Sequence, residues 1–187
     1  MTTPAPSGPD AIALREASRA DAEAIARLHH DLWHETYAAL APPDLPALMT
    51  LEARRTRWRA ILDEPGQDLV MVARAGDTLA GFMLMGPPSE PAFGACCEIR
   101  HLFVRGTLQG RGLGRRLLAE AARRALDRGE TRLGLGVVDG NRGAIAFYTR
   151  LGGRMVGAYT DPGPRWRSRN LIFVWDDLPA LAASVRD

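Results

Sequence analysis

The sequence predicts one domain of mixed α/β (α+β) class, and three observations carry that prediction. Short apolar runs bounded by Gly, Pro or Asp recur along the chain and read as strands. Between them lie longer stretches such as "LGRRLLAEAARRALD", whose apolar residues fall at helical spacing. The order is strand, two helices, three strands, helix, strand, helix, two strands, which is not the regular βαβ alternation of a doubly wound sheet.

The elements follow in turn. A short strand is expected over 12–15, and Ser18 with Asp21 three places on resembles a capping box that opens a helix. Ile25, Leu28 and Leu32 share one face of that helix, while Trp33 and Tyr37, four apart, make an aromatic edge. The Pro-rich "APPDLP" precedes a second helix, about 45 to 62, with Leu48, Leu51, Arg55, Trp58 and Leu62 along one side; Pro65 and Gly66 lie just beyond it. "LVMVARAGDTLAGFMLMG" reads as a hairpin around Gly76-Asp77, and "CCEIRHLFV" as the next strand. A helix over about 112–127 aligns Leu113, Leu117, Ala121 and Ala125 and stops at Gly129. A strand over 132–138, a helix capped by Asn141 and stopped by Gly152, and strands near 155–159 and 170–175 follow. The domain is expected to span 11–178, between a disordered tail at 1–10 and a C-terminal tail at 179–187.

A chain of 187 residues can bury a full core without disulfides or a structural metal. Its 24 Lys+Arg against 22 Asp+Glu leave a net charge of +2, and aromatic residues are few, so a nucleic-acid partner is not expected. The cysteines, Cys96 and Cys97, are adjacent and build neither a disulfide framework nor a zinc site. The first ten residues lack the basic start and apolar run of a secretion signal, and no apolar run approaches the ~20 residues of a membrane span. The expectation is a cytoplasmic protein with no metal and no membrane partner.

"QGRGLG", Gln109 to Gly114, stands directly before the third helical run. No Lys follows the glycines as a Walker loop requires, and Arg115 stands where a dinucleotide fingerprint needs its last glycine. The spacing still supplies a loop whose amides face the positive end of a helix dipole, a place suited to a pyrophosphate. Arg111, Arg115 and Arg116 are positioned in sequence to add charge-assisted contacts to outer phosphates, or else form a solvated helix face.

The stretch "EIRHLFVRGTLQGRGLG" and, further on, "NRGAIAFYTRLGG" resemble the GCN5-related N-acetyltransferase superfamily. Gln109, Gly112 and Gly114 take the fixed places of its coenzyme A motif [QR]-x-x-G-x-[GA], and Asn141, Ala144, Phe147 and Tyr148 those of an N-x-x-A-x-x-F-Y helix. Glu98 and Val104 stand where histone-type members carry a strand glutamate and the valine that opens the coenzyme loop. Gly153 departs from the family, which usually has Phe there. The first third, with Trp33, Thr36, Tyr37, Arg55 and Trp58, is similar to a bacterial subgroup that includes spermidine and spermine acetyltransferases. The resemblance implies a mixed central sheet of about six to seven strands with a splayed central strand, and about four helices.

What the resemblance implies for function is direct transfer of an acetyl group from acetyl-coenzyme A to a primary amine of a small molecule such as a polyamine or amino acid. It gives the coenzyme to Leu102, Phe103, Val104, Gln109, Gly110, Arg111, Gly112, Leu113, Gly114, Arg115, Asn141 and Tyr148. An amine of pKa ~10.4 must lose a proton before attack. Glu98 is the candidate base, raised by apolar neighbours and acting through water, with an ion pair to Arg100 as the competing role and His101 as a second candidate. The Leu102 backbone N–H is expected to polarise the thioester carbonyl. Tyr148 is expected beside the departing sulfur; a phenol of pKa ~10 against a thiol of ~8.5 makes full proton transfer uphill by ~2 kcal/mol, so a hydrogen bond to the thiolate is the smaller claim. Packing against Phe147 is the competing, less favoured account of Tyr148, and N-capping alone would also explain Asn141. A covalent route through Cys96 or Cys97 is less attractive.

Trp33, Glu35 and Tyr37 are candidates for an aromatic and acidic wall that holds a cationic amine, or else core and surface of an ordinary helix. A protein or peptide acetyltransferase and a non-catalytic coenzyme A-binding module are the alternative functions. A homodimer is common in the family, but no interface can be read from the chain.

Overall fold

The computed structural model describes residues 12–164 and 166–185; the expected tail at 1–10 lies outside the described residues. Seven strands form one sheet: β1 (Ile12–Glu16), β2 (Leu69–Ala75), β3 (Thr78–Gly86), β4 (Cys97–Val104), β5 (Leu133–Val138), β6 (Arg154–Thr160) and β7 (Arg169–Trp175). Their spatial order is β1-β2-β3-β4-β5-β7-β6. The helices are α1 (Ala22–Tyr37), α2 (Leu45–Leu48), α3 (Leu51–Asp63), α4 (Leu113–Asp127), α5 (Arg142–Arg150) and α6 (Leu178–Ala183).

Strand alternation divides the core. Val70, Val72, Phe82 and Leu84 pack with Ile25, Leu28, Leu32 and Trp58 of α1 and α3, while Met71, Ala73, Met83 and Met85 pack with Leu113, Leu117 and Ala121 of α4. The face expected of the 112–127 helix, Leu113, Leu117, Ala121 and Ala125, is therefore the buried one. α1 opens behind a single 3-10 turn at 19–21, where Asp21 accepts from the Ser18 backbone N–H at 2.8 Å in a capping box. Asp21 is also clamped by Arg15, and that pair lowers its carboxyl to about 2.

Two expectations are corrected. The single helix over 45–62 is two, because Met49 leaves helical geometry and Thr50 caps α3, accepting from the Ala53 amide at 3.3 Å. The stretch expected as a C-terminal tail begins as α6, whose Leu178 and Leu181 are buried in the α4 side of the core and whose first turn is capped by Asp177. Six helices result rather than about four.

The central feature lies between β4 and β5. These parallel strands pair only at Cys97↔Leu133 and Glu98↔Gly134. Beyond that point they diverge, which gives the splayed strand that the resemblance implied. A second irregularity sits on β4 itself: Leu84↔His101 and Met85↔Ile99 leave Arg100 as an extra residue. Before the bulge Cys97 and Ile99 face α4, and after it Leu102 and Val104 do so, while His101 and Phe103 turn toward α1.

Candidate active site

Two cavities open at the splay. The first, about 590 Å³, runs along the start of α4 and is lined by Leu102, Phe103, Val104, Gln109, Gly110, Gly112, Gly114 and Arg115, then by Asn141, Phe147 and Tyr148 on its other side. The second, about 230 Å³, lies between α1, α3 and the β6–β7 connection. Tyr37, Leu102, Phe103, Gly136 and Tyr148 line both. The cavities meet where β4 and β5 have ceased to pair.

The first cavity is shaped by glycine. Gly112 caps α4 with φ +82°, a conformation that side chains other than Gly rarely adopt. A Cβ on Gly114 would come 3.0 Å from the Phe147 ring, so the glycine lets α4 and α5 close on each other. The first-turn amides at 113–115 have no intrahelical acceptor and point out of the helix start. Amide donors at a dipole's positive end, beside a groove long enough for an extended arm, fit the pyrophosphate and pantetheine of coenzyme A. Several of the side chains have partners within the chain. Gln109 Nε2 donates to the Val104 carbonyl at 3.1 Å and so ties the loop to β4. Arg115 donates to the Ser184 carbonyl, Arg116 to that of Ile12 at 3.0 Å, Leu113 is buried in the core, and Arg111 is exposed outside the groove.

Asn141 caps α5, accepting from the Ala144 amide at 3.2 Å; burial raises the nearby Tyr37 phenol, with Asn141 as the smaller, opposing influence. Tyr148 is buried among Phe147, Phe173 and Trp175, and burial raises its phenol well above the usual value. A raised phenol keeps its proton, which suits a hydrogen-bond donor and disfavours a proton donor. Gly153 is explained here: a Cβ would sit 2.7 Å from the Trp175 ring, so the indole fills space that a side chain at 153 would need.

Glu98 lines neither cavity. It is 3% exposed and accepts from the Ser89 amide at 2.5 Å; burial is the main cause that raises its carboxyl, against the opposing pull of Ser89 and Arg100. Arg100 instead pairs with Asp68. Tyr159 lines the second cavity, and its phenol is raised first by burial and next by the charge of Glu98. Its hydroxyl lies over Gly136, where a Cβ would come within 2.6 Å. Cys96 and Cys97 are buried and free, line neither cavity, and burial pushes the Cys97 thiol up to about 11.

In the second cavity Trp33 and Tyr37 are joined by Trp166, at centroid distances of 6.2 and 5.9 Å. Glu35 is exposed on another side of α1 and takes no part. His101 lines the cavity with its Nε2 buried and without a partner among the described residues. Beside it, Trp58 donates to His29 Nδ1 at 3.0 Å, which places the His29 proton on Nε2. Desolvation, with neighbouring cations, lowers both imidazoles well below the ordinary value. Trp166, Asp161, Tyr159, His29 and Arg54 are cavity residues that sequence reasoning missed. Only Arg54 left a trace, as one of several arginines in "EARRTRWR". Arg55, the position singled out there, pairs with Glu23 at 2.8 Å and is structural.

A cradle of amides continuous with a small side-chain cavity, joined through a gap in a sheet, is the layout of an enzyme that passes a group from a phosphate-bearing donor to an acceptor. The model of the acetyltransferase (GNAT) family matches residues 25–153, and the chain belongs to that family. It is therefore an N-acetyltransferase, and acetyl-coenzyme A is the donor of the family's chemistry. An uncharacterized N-acetyltransferase of Bacillus subtilis, YuaI, is 27% identical over 173 residues, covering 91% of this chain and 96% of the relative. The PaiA N-acetyltransferase of Thermoplasma acidophilum, solved with coenzyme A, superposes with TM-score 0.70 at 19% identity over 89% of this chain and 99% of its own. YncA of Salmonella typhimurium, a putative acetyltransferase solved with acetyl-coenzyme A, gives 0.65 at 22% identity over 89% and 94%. Among the described residues no helix is long and apolar enough to cross a membrane.

Proposed function

We propose that the enzyme acetylates a primary amine of a small molecule held in the second cavity, and that the five residues shared by the two cavities mark the point of transfer. The carrying observation is that sharing: Tyr37, Leu102, Phe103, Gly136 and Tyr148 line both the amide cradle and the aromatic cavity. A volume of about 230 Å³ suits a small acceptor. Acetyl-coenzyme A supplies a thioester whose carbon–sulfur bond breaks as the carbon–nitrogen bond forms; the ammonium loses one proton before attack, and the nitrogen loses a second that the departing thiolate takes up to leave as the thiol. The chain supplies three things. The amides of 113–115 hold the pyrophosphate. The Leu102 backbone N–H faces the carbonyl that gathers negative charge. The Tyr148 phenol donates a hydrogen bond to the departing thiolate.

The amine's proton goes to Glu98 at one remove, through water or the Tyr159 hydroxyl. Both candidate bases are shifted, in opposite directions. A carboxyl raised by burial becomes a stronger base, whereas an imidazole lowered by burial becomes a weaker one, so Glu98 is favoured over the nearer His101. Acetylation of a panel of amino acids, polyamines and aminoglycosides beside lysine peptides tests the acceptor class. Turnover with small amines supports the reading, and turnover confined to peptides contradicts it.

A further inference from the structure

The second cavity contains a cation that has no ion-pair partner among the described residues. Arg54 of α3 lines it. Removal from water, with the like charge of Arg57, lowers that guanidinium to about 10. Among the described residues its side-chain neighbours are the Met49 sulfur at 3.9 Å and the Trp33 ring, 6.0 Å to the centroid. It takes part in no ion pair there, in contrast to Arg55, which lies one residue on and is bound to Glu23 and Glu52. A thioether is a weak acceptor and an aromatic face satisfies no N–H in its plane, so the planar fork of donors is left for something else to fill. A carboxylate matches that fork two bonds at a time.

The charge around Arg54 points the same way. Arg57 acts on His101 as a further cation from α3, which disfavours a polycation at this end of the cavity, whereas the charge of Arg100 on β4 is offset by its pair with Asp68. Asp161 supplies the opposite charge from the β6–β7 connection, its Oδ1 held by the Gly163 amide at 2.7 Å. A cavity with a cation on one element and an anion on another is complementary to a zwitterion.

We infer that the preferred acceptor is an amino-carboxylate, whose carboxylate is received by Arg54 while its amine is presented at the junction of Tyr37 and Tyr148. The inference rests on the acetyl-transfer reading above and narrows it, placing amino acids ahead of polyamines. The test compares free amino acids with their α-carboxamides, with spermidine and a lysine peptide as further arms, in the wild-type enzyme, Arg54→Gln and Arg54→Lys. Steady-state turnover is paired with calorimetric binding of each acceptor to the enzyme saturated with coenzyme A.

The expected result is a KM and Kd for the free acid roughly 10- to 100-fold below those of its amide, the range of a charge-assisted pair. Arg54→Gln raises the values for the acid by a similar factor and leaves the amide unchanged, and Arg54→Lys restores part of the difference. Equal values for acid and amide in the wild type, an equal rise for both in Arg54→Gln, or spermidine as the best acceptor overturns the inference and leaves small-amine acetylation standing. Acetylation of the peptide alone, or of nothing despite bound acetyl-coenzyme A, overturns the small-molecule reading and the inference with it.

Discussion

The groove at the start of α4 and the aromatic cavity share five lining residues but are built from different material. The groove is made of backbone: a left-handed glycine, the open amides of α4 and the strand edge freed by the splay. The cavity is made of side chains from α1, α3, β4 and the β6–β7 connection, segments far apart in sequence. A backbone site tolerates most side-chain changes and is sensitive to backbone conformation; a side-chain site has the reverse sensitivity. The same contrast suits the task, because the donor's phosphates are constant and the acceptor is the variable partner.

The largest effect expected is at a residue that belongs to neither wall. Glu98→Gln should lower kcat near neutral pH by roughly 100-fold or more, the scale of general base catalysis. The loss should ease as pH rises and the amine deprotonates unaided, and an unchanged pH–rate profile removes Glu98 from the reaction. Next comes the junction. Tyr148→Phe should lower kcat by roughly 30-fold, as loss of a hydrogen bond to a developing charge does, with little change in acetyl-coenzyme A affinity. A fall in affinity without a fall in kcat would make Tyr148 a packing residue only.

The groove is broken through its backbone. Gly112→Ala places a side chain at φ +82°, at a cost of roughly 1–2 kcal/mol, so acetyl-coenzyme A should bind about 10-fold more weakly by calorimetry. The acceptor KM should not move; if it rises equally, the two sites are not separate. Acid sharpens the contrast from the other side. His29 and His101 have folded pKa values below the unfolded value of ~6.5, so the stability tied to their neutral forms is complete above that pH and is lost as pH falls below it. The groups facing them from α3 and β4 are cations, Arg54, Arg57 and Arg100, which deepen the shift. The loss should grow as pH falls below that unfolded value. Hydrogen exchange should show it in α1 and α3, with α4 protected as at pH 7; uniform loosening would contradict the division.

The same contrast explains what could be read in the sequence. Gly112, Gly114, Asn141 and Tyr148 were legible because a backbone cradle needs fixed residue types at fixed local spacing, and helix caps and stops mark their own positions. The mixed sheet and its splayed strand followed from that resemblance; the spatial order of the strands did not. Arg54, Asp161 and Trp166 were not legible, since nothing local distinguishes one Arg of "EARRTRWR" from the next. Only folding turns Arg55 toward Glu23 and Arg54 toward the cavity. Glu35 failed for the related reason that a residue two places from Trp33 and Tyr37 lies on another side of a helix. The bulge at Arg100 was also invisible, though it aims His101 away from the face that strict alternation would give it.

The central claim is that transfer occurs where the two cavities meet. A crystal structure with acetyl-coenzyme A bound tests it most directly. The account predicts the pyrophosphate on the amides of 113–115, the thioester carbonyl within hydrogen-bond distance of the Leu102 N–H, and the sulfur beside the Tyr148 hydroxyl. A thioester lying anywhere other than between Leu102 and Tyr148 would contradict it.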